Sequence, residues 1–196
     1  MPIFIAVEGL HDLAVARRLL DELQLTEAPG PGSLEGKPKL DAKLRAYAAS
    51  ASVHPWFVLR DLDRDAACAG ELVRQLVPQR PPLFHLRIAV RSVEAWLLAD
   101  HVGMAGYLHA PVEKVPRNPD SLESPKTELV NLARKSSSRK IVTDIVPDEG
   151  GGRPTGKAYT ARVIDFVRNT WRPAAAAERS PSLARCIRAL RTLGRG

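Results

Sequence analysis

Apolar residues in the first half of the chain come in three short bursts, at residues 2–7, 56–59 and 83–90. Each burst has the length of a strand and is rich in β-branched or aromatic residues. Each is followed by a segment whose apolar residues recur at three- and four-residue steps, the spacing of one helix face. Leu13, Ala16, Leu19, Leu20 and Leu23 follow the first, and Leu72, Val73 and Leu76, within 66–77, follow the second. Residues 93–98 follow the third. Strands alternating with helices predict parallel pairing through helical crossovers, and hence an α/β layered sheet.

The remaining pattern is helical with loops between. Residues 28–33, Ala-Pro-Gly-Pro-Gly-Ser, predict a loop, and no further strand is legible in 25–35. Leu40, Leu44 and Tyr47 predict another amphipathic helix, and Ser124-Pro125 opens one running to about Arg134. Residues 141–146 predict a strand, 149–157 a Gly-rich loop and 158–171 a helix. Ser180-Pro181-Ser182 is a cap followed by proline at the first helical position. The helix it opens buries Leu183, Ile187 and Leu190 and leaves Arg185, Arg188 and Arg191 outward. The expected organisation is an α/β core over 1–110. A mostly helical, Arg-rich extension over 111–196 packs on it as one compact unit.

Composition narrows the class. A chain of 196 residues, 44% hydrophobic and 26% charged, can bury one sizeable core. Cys68 and Cys186 follow no disulfide or metal spacing, which fits a reducing compartment. The opening apolar run is interrupted by Glu8, too early for a leader or a membrane span. A cytoplasmic protein with no membrane association is the expectation. The net charge of +7 is uneven: residues 151–196 hold 10 Lys+Arg against only Asp165 and Glu178. That excess predicts an anionic partner, DNA or RNA first. The alternative is a solvated arginine-rich face.

Each apolar burst ends in acid. The first ends in Glu8-Gly9, the second in Arg60-Asp61-Leu62-Asp63-Arg64-Asp65, and the third in Arg91-Ser92-Val93-Glu94. In a parallel sheet all strand carboxyl ends share one edge, where open α/β sheets bind ligands. Strands about 4.8 Å apart let Glu8 converge with Asp61 and Asp63, which share a side if the backbone stays extended. Carboxylates about 4 Å apart repel by about 4 kcal/mol at an effective dielectric of 20, so something must offset the charge. All-oxygen ligation suits Mg²⁺ or Mn²⁺. The competing arrangement pairs these acids with Arg60, Arg64 and Arg91.

Residues 7–12, Val-Glu-Gly-Leu-His-Asp, with 59–63, Leu-Arg-Asp-Leu-Asp, resemble the TOPRIM domain of topoisomerases, primases and nucleases. The Glu-Gly-x-x-Asp form is most similar to its small nuclease and OLD-type branches. Residues 87–100, Ser124-Pro125-Lys126 and the Gly-rich stretch before Tyr159 resemble a small bacterial TOPRIM-like family catalogued only as a domain of unknown function. The resemblance implies a Rossmann-like, mostly parallel sheet and a divalent-metal-dependent nuclease acting in phage defence or DNA metabolism. It implies an AAA- or OLD-type ATPase as partner. Glu8 would be a metal ligand or general base, and Asp61 and Asp63 metal ligands, with Asp65 a further acid. Asp12 is a ligand or a helix-start acid. Glu94 is a second-metal ligand or a partner for Arg91, and Lys126 stabilises charge on the phosphate. Arg185, Arg188, Arg191 and Lys157 would contact the nucleic-acid backbone. The alternative is a non-catalytic nucleic-acid-binding or regulatory subunit of an ATPase complex.

Two lookalikes are weaker. Residues 151–157 match the spacing of a phosphate-binding P-loop, but Ala158 replaces the hydroxyl that binds Mg²⁺. Asp61-Leu62-Asp63 has the form of a haloacid-dehalogenase motif, which leaves Glu8 without a role. The five histidines form no zinc spacing. His85 reads as core and His11 lies beside the acids, while Trp56, Trp96 and Trp171 read as core.

Overall fold

A computed structural model describes residues 1–33, 36–150 and 152–193. Four parallel strands form one sheet in the order β2-β1-β3-β4: β1 (Phe4–Val7), β2 (Gly32–Ser33), β3 (Trp56–Asp61) and β4 (Phe84–Ala89). Val7 is in register with Leu59, and Asp61 with Ala89.

Alternation along the strands splits the core in two. Ile5, Val7, Phe57, Leu59 and Ala89 face one layer of helices. This layer is α1 (Leu10–Glu22), α4 (Val93–Ala99), α5 (His101–Leu108), α6 (Pro125–Ala133), α7 (Arg139–Ile145), α8 (Tyr159–Asn169), α9 (Pro173–Ala177) and α10 (Pro181–Leu193). Ala6, Trp56, Val58, Leu86 and Ile88 face α2 (Lys37–Ser50) and α3 (Ala69–Leu76). Both faces of the sheet are covered, so its strands read as unbroken apolar runs. Trp56, Trp96 and Trp171 are all buried. The apolar cluster under α1 takes in residues from both the first 110 and the remainder of the chain.

Two expectations are corrected. The segment 28–33 is not wholly loop. Gly32 and Ser33 pair with Ala6 and Val7, and Ile3 makes a further parallel bridge to Glu27; the part of the 25–35 window at residues 34 and 35 lies outside the described residues. Residues 141–146 form no strand: most of them belong to α7, where Ser138 Oγ accepts the Ile141 amide proton at 3.5 Å. Ile141 and Ile145, four apart, share one helix face and are both buried.

The P-loop-like segment therefore follows a helix. Its Gly151 lies outside the described residues, but Gly156 has a structural reason to be glycine. A Cβ there would stand 2.5 Å from the Asp144 carbonyl oxygen. The loop presses on the end of α7, and Gly156 N–H donates to the Ile145 carbonyl at 2.8 Å.

Candidate functional site

The carboxyl ends of β1 and β3 and the starts of α1 and α4 meet at one edge of the sheet. Glu8 follows β1 directly, and its Oε1 accepts the Asp61 amide proton at 3.0 Å. Asp61 ends β3, and its Oδ1 accepts the Val93 amide proton at 3.0 Å, at the first turn of α4. Asp12, buried in the first turn of α1, accepts the Gly9 amide proton on Oδ2 at 2.8 Å. Three carboxylates are thus each anchored through one oxygen to a backbone amide. Among the described residues the second oxygen of each accepts no hydrogen bond. For Asp12 that oxygen, Oδ1, is fully buried and sits 3.4 Å from His11 Nε2.

Glu94 completes the group from α4 and is engaged through both oxygens. Ser92 donates to Oε2 at 2.6 Å and the buried Tyr159 hydroxyl to Oε1 at 3.0 Å. Lys126 Nζ stands 3.6 Å from Oε1, and His11 Nε2 stands 4.0 Å from it. Lys126 also lies over the Tyr159 ring, 5.7 Å from its centroid, within cation–π range.

The electrostatics follow from this crowding. Burial, then the charges of Asp12, Glu94, Glu8 and Asp63, push the Asp61 carboxyl well above the usual range. Burial raises Glu8 as well, against the lowering effect of the Asp61 amide. Asp12 is raised by burial although His11 pulls it down. Burial also opposes the charge on Glu94, but His11, Lys126 and the Ser92 hydroxyl outweigh it and hold this carboxyl below its ordinary value. Tyr159, buried against Glu94, is pushed far up and stays a donor. One carboxyl held below its ordinary value thus shares the edge with three raised above theirs, the pattern by which neighbouring carboxyls take different roles.

Asp63 and Asp65 sit differently. The strand ends at Asp61, and Asp63 adopts a left-handed conformation with φ of 47°, tolerated by aspartate more readily than by most residues. The backbone is therefore not extended across Asp61-Leu62-Asp63, and the argument that alternation aims both acids alike fails at Asp63. Its backbone is clamped by Arg91, which accepts the Asp63 amide proton on its carbonyl and donates Nη1 to the Asp63 carbonyl. Lys37 Nζ donates to the Asp63 carboxylate at 2.5 Å and to Asp65 at 2.8 Å. Buried Arg60 links Asp65 to Asp41. The Lys37 hydrogen bond, joined by Arg60, holds Asp65 below its ordinary value against the opposing effect of burial. Among the described residues, no three acidic, histidine or cysteine side chains already stand as a closed ligand set for one ion.

A cleft of about 450 Å³ opens onto this edge. Asp61, Asp63 and Glu94 line it together with Arg64, Arg91 and Lys126. The edge thus puts acids for a cation beside cations for an anion. Arg185, Arg188 and Arg191 are exposed on α10, and exposed Lys157 pairs with Asp148 at 3.3 Å. His11 stands at the acids, where its sequence position beside them puts it; Tyr159 is the participant that sequence reasoning did not place, since it carries no signal beyond an apolar helix start. Comparison with protein-family models, with curated proteins and with solved structures returned no match.

Proposed function

We propose that this chain is a Mg²⁺- or Mn²⁺-dependent phosphodiesterase of TOPRIM type, cleaving DNA or RNA. The observation that carries the reading is the set of three carboxylates, Glu8, Asp12 and Asp61, each fixed by a backbone amide with its other oxygen left without a donor. Hard, anionic oxygens in this number suit a small divalent cation. The buried, unpartnered Oδ1 of Asp12 needs a proton or a cation to offset its desolvation. Glu8, Asp61 and Asp12 would hold the ion, with Asp63 and Asp65 available if Lys37 lets go. When bound, the ion supplies Lewis-acid polarisation of a phosphoryl oxygen.

The remaining work belongs to the chain's own side chains. Arg64, Arg91 and Lys126, in the same cleft, bind and orient the phosphodiester and stabilise the charge that develops on it. Glu94, kept ionised by Lys126 and His11 and held by Tyr159, fixes Lys126 near the cleft. The arginine face of α10 supplies salt-sensitive, sequence-independent affinity for the backbone. Incubating plasmid, single-stranded DNA and RNA with Mn²⁺ tests the reading. Cleavage that disappears in Glu8→Gln and Asp61→Asn is the expected result. Intact substrates across Mg²⁺, Mn²⁺ and Co²⁺, with an OLD-type ATPase partner supplied, would sink it.

A second reading is favoured by Lys37, which neutralises two of the three acids of the Asp61-Leu62-Asp63-Arg64-Asp65 segment, Asp63 and Asp65, from inside the protein. On that reading the chain is a nucleic-acid-binding regulatory subunit of an ATPase complex. Calorimetry separates the two, since this subunit would bind nucleic acid but no divalent ion.

A further inference from the structure

β4 is an edge strand, and its amino-terminal half carries charge of one sign. Arg80, exposed before the strand, and half-buried His85 and Arg87 line a hollow of about 450 Å³. A second hollow of about 580 Å³ adjoins it, sharing Pro78, Arg80 and Pro81 and adding Arg45 from α2. No acidic residue lines either one. From the other side α10 packs on β4 and brings Arg185 close enough to Arg87 to oppose its charge. Burial lowers Arg87 first, the neighbouring Cys186 thiol raises it, and Arg80 and Arg185 lower it further, with no carboxylate among the groups acting on it. His85 is lowered by burial and then by Arg87 and Arg80, despite its contact with the Pro82 carbonyl.

Elsewhere buried Arg60 is paired with Asp41 and Asp65, and half-buried Arg162 with Asp144. Half-buried Arg87, with no carboxylate partner and two exposed arginines near it, carries a cost that an incoming anion would offset. The acid edge lies at the other end of the same strand. At about 3.3 Å per residue, Arg87 stands about 7 Å and His85 about 13 Å back from Ala89. Two connected hollows suit an extended anion rather than a compact one.

We propose that Arg80, Arg87 and Arg185, at the amino-terminal half of β4, form a metal-independent site for the phosphate groups of a polynucleotide strand. His85 lines it. The site stands whether or not the acid edge is catalytic. It goes beyond the arginine face of α10, because Arg80 and Arg87 come from the sheet edge.

The test uses the full chain in EDTA, with a fluorescein-labelled oligothymidylate read by anisotropy across a NaCl series. Arg80 and Arg185 are exposed, so Arg80→Gln/Arg185→Gln is made together and its fold checked by circular dichroism. Losing two phosphate contacts lowers the slope of log K against log salt by about 1.4 and weakens binding about tenfold at moderate salt. Arg87→Lys keeps the charge and restricts the loss to the guanidinium fork, so its slope stays near that of the unaltered protein. Because the assay contains EDTA and reads binding alone, loss of cleavage cannot mimic loss of binding, which separates failure here from failure of the nuclease reading. An unchanged slope and affinity in the folded double variant overturns the proposal, and would mean that the arginines only guard a sheet edge against pairing. Binding of inorganic phosphate without the oligonucleotide overturns it also, by assigning the site to a free anion.

Discussion

Replacing Asp61 by asparagine should stabilise the metal-free protein at alkaline pH, and the direction follows from charge alone. In the folded protein burial and the charges of Asp12, Glu94, Glu8 and Asp63 keep Asp61 protonated well above the pH at which it ionises in the unfolded chain. The unfolded state therefore ionises first as pH rises past about 4, and is stabilised relative to the folded state. Stability that is complete below that point is lost progressively as pH climbs toward the folded value. Asparagine releases no proton, and it retains an oxygen to accept the Val93 amide at the 3.0 Å position. A single neighbouring carboxylate about 6 Å away, at an effective dielectric of 20, opposes ionisation by about 3 kcal/mol, or about two pKa units.

Discounted for partial screening, the expected gain near pH 8 is about 1–3 kcal/mol, or about 3–10 °C in Tm for a chain of this length. Thermal melts in EDTA from about pH 5 to pH 9 read it directly, with the two proteins converging toward the acid end. Mn²⁺ then reverses the order. At about a hundred times its Kd it adds about 2.7 kcal/mol to the unaltered protein and little to the variant, which has lost a ligand charge. A variant no more stable than its parent at pH 8, or a gap that fails to widen with pH, refutes the crowding argument. Equal stabilisation of both proteins by Mn²⁺ refutes Asp61 as a ligand.

The other predictions concern single contacts. Asp100 is buried and accepts the Gly103 and Arg172 amide protons at 3.0 and 2.9 Å together with the guanidinium of exposed Arg172, so Asp100→Ala should lower stability in urea titrations by about 1–3 kcal/mol, mostly through the two amides left without an acceptor. Gly156→Ala drives a methyl group into the Asp144 carbonyl and should cost about 1–3 kcal/mol by the same measurement; an unchanged midpoint would show that the loop moves freely off α7. Lys37→Met releases Asp63 and Asp65 from their shared ammonium, and calorimetry should then find Mn²⁺ bound about tenfold more tightly, about 1.4 kcal/mol. An unaltered Kd would exclude both acids from the ligand set.

What could be read in advance, and what could not, divides along physical lines. β1, β3 and β4 were visible because both sheet faces are covered, which turns a strand into an uninterrupted apolar run. β2 was not, because Gly32 and Ser33 carry no side-chain pattern and are held by backbone pairing to β1. Residues 141–146 looked like a strand through their β-branched content, whereas the Ile141–Ile145 spacing is that of the helix they form. Within the site, strand-terminal Glu8 and Asp61 were legible from topology, since parallel strands end at one edge. Asp12 and Glu94 lie one helical turn or less beyond those ends. Tyr159 reaches Glu94 from 65 residues away, a contact that only tertiary packing creates. Asp63 was misread because a left-handed residue interrupts the alternation on which its direction was argued.

How the fold bears the acid cluster when no cation offsets it comes down to where helices begin. α1 starts at Leu10 and α4 at Val93, so amides that no helical carbonyl can claim point at the acid edge. Two of the three anchoring amides, Gly9 and Val93, belong to these helix starts, where the peptide dipoles favour negative charge. The third, of Asp61, turns toward Glu8 at the strand end. Each amide fixes one oxygen and supplies only a fraction of a counter-charge, so the carboxyls are oriented without being neutralised. Burial first, and then the charge of the neighbouring carboxylates, raises Glu8, Asp12 and Asp61 together. Lys37 stands outside this set, on Asp63 and Asp65, so an ammonium there cannot replace an ion at the anchored three. Orientation by backbone with charge left over is an arrangement that a proton satisfies for one acid at a time, and that, on the reading proposed above, a divalent cation would satisfy for all three at once.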